Sequence, residues 1–156
     1  MRFNGYKEME MALEQARTAA SRGEVPIGAV IIDAGGNVIA AAHNQVEELF
    51  DPTTHAEMLV ISQASKLLKN KNNRLEGCTL FVTLEPCAMC AAAISHSRIS
   101  KLVYGAADEK GGGVENGAKI FLHKTTMYKP EVVSGIMEDE SRKLLQDFFR
   151  GLREKN

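Results

Sequence analysis

The sequence lacks the features that would place it outside the ordinary globular proteins. Its 156 residues include only 3 cysteines and 4 prolines, and the aromatic fraction is 6%. Three cysteines are too few, and odd in number, for a disulfide-built scaffold, and nothing in the composition indicates a disordered, collagen-like or coiled-coil chain. A hydrophobic fraction of 44% in a chain of this length predicts one domain, residues 1–156, with a substantial core.

The sequence also lacks a charge bias and a long apolar run. The formal net charge is −1, which argues against a protein that binds nucleic acid by electrostatics alone. Contact with RNA would have to come from local patches, and no DNA partner is expected. The strongly apolar stretch near Ile27–Ile32 is too short to cross a membrane. Residues 1–5 do not resemble a signal peptide, so we expect a cytoplasmic protein without a membrane partner.

Hydrophobic periodicity predicts that strands alternate with helices along the chain. The predicted helices are 6–22, 55–69, 86–96 and 137–153, and the predicted strands are 27–32, 38–42, 79–83, 101–104 and 131–134. Thr53 or Thr54 is expected to cap the second helix, and Pro86 to occupy the first position of the third. The glycines at 111, 112, 113 and 117 indicate an irregular loop, and the run at 111–113 predicts a mobile surface loop. This order of elements favours an α/β fold with one sheet packed between helices.

The residues typical of chemistry are concentrated in two segments, Thr54–Glu57 and Leu84–Cys90. Cys87 and Cys90 are three residues apart at a predicted helix start, where they share one face and where the helix dipole favours thiolates. With His55 they supply two sulfurs and one imidazole, which is a ligand set suited to zinc.

Three protein ligands indicate a catalytic zinc site, because structural sites are normally closed by a fourth protein ligand. Cys78 lies at the far end of the strand that leads to Pro86, well away from a metal at Cys87. The remaining candidates for a fourth protein ligand are the histidines His43, His96 and His123. Glu57, two residues after His55, is placed to carry protons for a zinc-activated hydroxide.

The combination H-x-E followed by P-C-x-x-C is the signature of zinc-dependent deaminases. With it, the chain resembles the cytidine deaminase superfamily and, within that superfamily, the bacterial tRNA-specific adenosine deaminases. The segments that carry the resemblance are Glu24–Val30, Asn44, Asp51–Glu57, Val82–Cys90, His96–Ile99, Gly105–Ala106 with Asp108, and Asp147–Arg150. They extend over almost the whole chain.

The resemblance implies a three-layer α/β/α sandwich around a mixed sheet of about five strands, with one Zn²⁺ per subunit. It implies hydrolytic conversion of adenosine to inosine at the wobble position of a tRNA anticodon, with Glu57 as the proton shuttle. It also implies a homodimer that binds the anticodon stem-loop across the subunit junction. The substrate-binding residues that it implies are Asn44 for the flipped base or its ribose, Val25, Pro26 and Ile27 for the pocket lining, and Phe149 and Arg150 for the anticodon loop.

The sequence departs from the family pattern in the region that would meet RNA, at Ala107, Gly111–Gly117 and Tyr128–Pro130. A deaminase of a free base or nucleoside, of the guanine, cytosine or cytidine type, is therefore the alternative function, since the motif alone does not separate the two. A structural or nucleic-acid-binding zinc module without activity would require a fourth protein ligand. The alternative role of Asn44 is a hydrogen bond to its own loop. The alternative role of Phe149 is packing in the core.

Overall fold

The computed structural model describes residues 4–155, without the side chain of Lys71. Within this range the chain forms four α-helices and five β-strands. Their bounds are α1 Tyr6–Ser21, β1 Gly28–Ile32, β2 Val38–His43, α2 Ala56–Leu68, β3 Thr79–Leu84, α3 Ala88–Ser97, β4 Lys101–Ala106, β5 Glu131–Ser134 and α4 Glu138–Lys155. The expectation about a signal peptide rests partly on residues 1–3, which lie outside the described residues.

The five strands form one mixed sheet in the order β2-β1-β3-β4-β5. Strand β1 pairs antiparallel with β2 and with β3, whereas β3, β4 and β5 are parallel. The carboxyl ends of β3 and β4 therefore lie at the same edge of the sheet, where the loops that follow them meet. That edge is where the chain brings its candidate functional residues together.

Helices cover both faces of the sheet. On one face, α1 packs against β1, β2 and β3, and α4 packs mainly against β4. On the other face, α2 packs against β1 and β2 and also contacts α3. Strand β3 is buried on both sides, because Phe81 packs with Met9 of α1 while Leu80 and Val82 pack in the core beneath α2 and α3. The predicted three-layer α/β/α sandwich around a five-stranded mixed sheet is confirmed.

Helix α1 lies very close to the sheet. Its buried side chains recur at helical spacing and include the small residues Ala12 and Ala16. A Cβ atom on Gly28, the first residue of β1, would lie 2.0 Å from the carbonyl oxygen of Ala12. Glycine at this position therefore permits the close contact between helix and strand.

Helix α4 is amphipathic, but its apolar side is only partly covered. Ser141 is buried, and its Oγ donates a hydrogen bond to the Thr83 carbonyl of β3. Further along the helix, 42% of Phe149 and 41% of Leu152 remain exposed. Phe149 is therefore not a core residue. None of the described helices is both long and apolar enough to span a membrane.

Candidate metal centre and substrate groove

The start of α2 is fixed by a side chain from outside the helix. Neither predicted threonine cap forms, because the hydroxyls of Thr53 and Thr54 both donate to Asp51. Instead, Asn44 Oδ1 accepts the backbone N–H of Ala56 at 2.8 Å. This bond satisfies one of the N–H groups that every helix start leaves unpaired. It also fixes the position of His55, which precedes Ala56 in an extended conformation.

The start of α3 differs from the prediction by two residues. Pro86 lies before the helix, Cys87 is the N-cap residue in an extended conformation, and Cys90 occupies the third helical position. The side chain of an N-cap residue lies over the first turn of its helix. The thiols of Cys87 and Cys90 consequently lie on the same side of the helix start, as the three-residue spacing predicted.

The two helix starts bring the three predicted metal ligands together. His55 Nδ1 lies 3.7 Å from Cys87 Sγ and 3.5 Å from Cys90 Sγ, and all three ligand atoms lie within 4.8 Å of one another. Tetrahedral zinc, with bonds of about 2.3 Å to sulfur and about 2.0 Å to nitrogen, separates these atoms by about 3.6 Å. The donor set and its spacing therefore fit a zinc ion.

The cluster has no fourth protein ligand among the described residues. His43 Nδ1 lies 3.3 Å from Gln15 Oε1, and His123 Nε2 lies 2.6 Å from the Ala118 carbonyl oxygen. His96 lines a separate cavity near the end of α3, and Cys78 is buried immediately before β3. Three ligands with an open position are typical of a catalytic zinc site.

The electrostatics of the cluster favour a bound cation. Contact with the Cys90 thiol lowers the pKa of Cys87 to about 4; burial opposes this shift and His55 reinforces it. Contact with Cys87 and burial raise the pKa of Cys90. Interaction with Cys87 also raises the pKa of His55, although burial opposes it. One thiolate therefore forms readily, and a metal ion is the natural partner for the second.

Glu57 lies beside this cluster as a buried carboxylate that contacts the Cys90 thiol. Only 3% of the residue is exposed, and Oε1 has no hydrogen-bond partner among the described residues. Burial raises the pKa of Glu57 to about 7, while the nearby imidazole of His55 opposes the shift. A carboxyl group of this kind can take up and release a proton at neutral pH.

An open groove of about 870 Å³ lies along the carboxyl ends of β3 and β4 and is bounded by α4. Three of the predicted substrate-binding residues, Val25, Ile27 and Phe149, line this groove. Pro26 is buried and Arg150 is exposed beside Asp147, and neither lines it. The structure therefore brings part of the predicted set into one groove.

Asn44 connects the groove with the metal cluster. Its backbone N–H donates to the Ile27 carbonyl at 3.1 Å, and its Oδ1 accepts from Ala56 next to His55. The other amide atom, Nδ2, has no hydrogen-bond partner among the described residues. That nitrogen is available to a substrate.

Known proteins are similar in sequence to this chain over most of its length. The MafB19-like deaminase family model matches residues 3–153. The tRNA-specific adenosine deaminase of Agrobacterium fabrum is 52% identical over 145 residues, which cover 93% of this chain and 93% of that protein. The chain belongs to the tRNA-specific adenosine deaminase family. It is therefore an enzyme of the deaminase type, as its sequence predicted.

The chain is also similar to solved structures of deaminases. A structure from studies of A-to-I editing by tRNA:A34 deaminases at the wobble position of transfer RNA has a TM-score of 0.85 and 51% identity, and the match covers 89% of this chain and 99% of that chain. A guanine deaminase from Nitrosomonas europaea has a TM-score of 0.74 and 25% identity, covering 90% of this chain and 82% of that chain. The two likenesses concern deaminases of different substrates.

Two buried carboxylates near the site, Glu24 and Glu85, had no role predicted from the sequence. Glu24 accepts the backbone N–H groups of Glu47 and Glu48, and thereby holds the loop between β2 and α2. Glu85 organises the loop after β4. Burial raises the pKa of Glu85, but hydrogen bonds from Asp108 and from Asn116 outweigh it and hold the pKa below its ordinary value. The sequence feature that could have indicated Glu85 was the position of an acidic residue at the end of an apolar strand.

Proposed function

We propose that this protein converts adenosine to inosine at the wobble position of a tRNA anticodon, acting as a single deaminase domain with one Zn²⁺ per subunit. The observation that carries the proposal is the meeting of His55, Cys87 and Cys90 beside the buried carboxylate of Glu57, whose Oε1 has no partner among the described residues. The substrate follows from the family, because the Agrobacterium relative is named a tRNA-specific adenosine deaminase.

The residues divide the work of hydrolytic deamination. Zinc held by His55, Cys87 and Cys90 would supply a water molecule acidified toward neutral pH as the nucleophile. Glu57 Oε1, which no described residue occupies, would accept the two protons of that water in turn, one as the oxygen attacks and one as the amino group leaves. The ring nitrogen next to the reacting carbon and the departing ammonia each need a proton, and Glu57 delivers both. A pKa of about 7 suits a carboxyl group to both directions of transfer.

The groove along the carboxyl ends of β3 and β4 accommodates the substrate. Asn44 Nδ2 donates a hydrogen bond to the flipped base or its ribose. Val25 and Ile27 line the pocket, and the buried Pro26 fixes the backbone between them. Phe149 is 42% exposed where it lines the groove, which suits an aromatic ring that stacks on an unpaired base. Arg150 is exposed on the same helix and meets the anticodon loop. Recognition of an unpaired loop by such local contacts is compatible with a net charge of −1.

The decisive experiment uses an anticodon stem-loop with adenosine at the wobble position. The zinc-loaded protein should produce inosine at that position, as measured by mass spectrometry of the digested RNA. Glu57→Gln should retain one zinc per chain and the native fold but lose nearly all turnover, because the proton carrier is absent. The same stem-loop with adenosine moved to another loop position is the matched control and should remain unmodified.

A free base or nucleoside is the second candidate substrate, favoured by the likeness to the guanine deaminase. A parallel screen of guanine, cytosine, cytidine and adenosine, followed by ammonia release, separates the two functions. Turnover of a free base by a protein that leaves the stem-loop unchanged would replace the proposal.

We further propose that the enzyme is a cytoplasmic homodimer that binds the anticodon stem-loop across the subunit junction. Exposed apolar side chains support an interface, since 73% of Leu122 and 82% of Met127 are exposed in the segment between β4 and β5. Sedimentation equilibrium should give twice the chain mass, and a monomer at every concentration tested would contradict the dimer.

A further inference from the structure

Glu85 is surrounded by hydrogen-bond donors although it follows directly after β3. The residue is 2% exposed. Its Oε2 accepts the backbone N–H groups of Val114, Glu115 and Asn116, each at 3.0 Å. Its Oε1 accepts the backbone N–H of Asp108 at 2.9 Å and the Asn116 side-chain amide at 2.8 Å. Successive N–H groups that converge on one oxygen form an anion-binding nest, and here the anion is part of the protein.

The same loop is held against the metal-bearing helix. Gly113 N–H donates to the Pro86 carbonyl at 2.8 Å, next to Cys87. A Cβ atom on Gly113 would lie 2.5 Å from the backbone nitrogen of Ala88, and one on Gly112 would lie 2.4 Å from the Glu85 carboxyl group. The glycines thus allow contacts on both sides of Cys87. The prediction of a mobile surface loop at 111–113 is wrong for Gly112 and Gly113, because both are buried and their N–H groups donate to the Asp108 and Pro86 carbonyls.

The carboxylate also fixes the wall of the substrate groove. Asp108 lines the groove, and its backbone is held by Glu85 Oε1. The Asp108 side chain in turn accepts the N–H groups of Lys110 and Gly111, which also line the groove. Glu85 itself neither belongs to the metal-ligand group nor lines the groove. From its buried position, Glu85 therefore supports both the metal-ligand group and the wall of the groove through its hydrogen bonds.

We propose that Glu85 is a positioning residue that holds Cys87 and the Asp108 wall of the groove in register through the 108–116 loop. The catalytic part of this inference rests on the proposed function, whereas the effect on the metal site does not. Glutamine in its place would present an amide N–H₂ where a carboxylate oxygen now accepts hydrogen bonds. At least two of the five donors would then lose their acceptor, and the loop would move away from Pro86.

The test compares Glu85→Gln with the wild type in three measurements. Removing groups that support a metal ligand from outside typically lowers metal affinity or activity by about 10–100-fold. We expect Glu85→Gln to bind zinc more weakly by that factor in a chelator competition. We also expect an altered thiolate-to-metal absorption of the Co²⁺-substituted protein, and a lower kcat on the stem-loop. Asn116→Ala, which removes one donor and keeps the carboxylate, should shift each measurement in the same direction by less.

The matched control is Asp33→Asn. Asp33 is likewise a carboxylate that accepts backbone N–H groups, from Gly35 and Asn37, but it lies in the turn between β1 and β2. This variant should lower the melting temperature and leave zinc affinity, the Co²⁺ spectrum and kcat unchanged. Unchanged affinity and spectrum in both Glu85→Gln and Asn116→Ala would overturn the inference. If the wild type leaves the stem-loop unmodified, the proposed function fails, and the affinity and the spectrum still decide the role of Glu85.

Discussion

Asn44 has two polar atoms with different environments, and this division determines what each substitution will do. Oδ1 accepts the N–H of Ala56 at the start of α2, whereas Nδ2 has no partner among the described residues. The sequence offered a substrate role and a bond to its own loop as alternatives. The structure shows a third arrangement, in which the side chain supports the helix that carries His55 and still offers a donor.

Substitution of Asn44 should separate these two roles. Asn44→Asp keeps the acceptor for Ala56 and removes the amide donor, so stability should stay close to the wild type while kcat/KM falls about tenfold. Asn44→Ala removes both the acceptor and the donor, so its kcat/KM should fall by the same factor. Its free energy of unfolding should also fall by about 1 kcal/mol, the usual effect of a lost helix cap. Urea unfolding and stem-loop kinetics measure the two effects. Wild-type kinetics in Asn44→Asp would exclude a donor role.

The residues that the structure brings together as predicted are those whose placement depends on local spacing. His55 with Glu57, and Cys87 with Cys90, lie two and three residues apart at a helix start, so each pair stays within one helical turn. The contacts that were not predicted act over longer separations. Asn44 reaches across 12 residues to Ala56, and Glu85 reaches across 31 to Asn116. No periodicity within one segment indicates such a pair.

At the scale of single elements, strands were easier to predict than helix starts. The run 79–83 was expected as a strand buried on both faces, and the observed strand Thr79–Leu84 is buried along its middle four residues. The first residue of α3 was misplaced because proline favours a first helical position but is also tolerated before the N-cap. The prediction for the glycine run at 111–113 was wrong at Gly112 and Gly113 for a related reason. Glycine permits mobility, but it also permits the close contacts that immobilise a loop.

The turn between β1 and β2 provides a test of how one carboxylate stabilises an element. Hydrogen bonds from the backbone and side chain of Asn37, assisted by Gly35, lower the pKa of Asp33 from 3.8. A group whose pKa is depressed by folding stabilises the protein above its unfolded pKa and loses that effect as the pH falls through the folded value. The melting temperature of Asp33→Asn should therefore lie below the wild type at pH 6, and the gap should narrow below pH of about 3.8. A gap that is constant from pH 6 to pH 2 would exclude this contribution of the ionised group.

At the scale of the whole molecule, the sheet topology explains how distant residues form one site. The parallel strands β3 and β4 end at the same edge, and the helices α2 and α3 begin beside it. His55 and Cys87 are 32 residues apart in sequence and meet because α2 and α3 pack on the same face of the sheet. Alternating strands and helices indicated this layering and the family resemblance implied a mixed sheet, but the order of the strands is seen only in the structure.

A metal ion that bridges two helices should stabilise the entire fold. The ligands come from the starts of α2 and α3, so an ion bound only in the native state adds its binding free energy to the free energy of unfolding. Removal of zinc by a chelator should lower the melting temperature by several degrees or more, and addition of zinc should restore it. Cys87→Ser should abolish most of this metal-dependent shift because it removes a ligand.

Cys78→Ala is the control for this measurement, since Cys78 is 1% exposed and lies outside the ligand group. It should lower the melting temperature of the metal-free and the metal-loaded protein alike, because it leaves a small cavity in the shared core. The shift on adding zinc should then equal that of the wild type. Identical melting temperatures for the metal-free and metal-loaded wild type would show that the two helix starts are held by packing alone. The metal would then serve chemistry without supporting the fold.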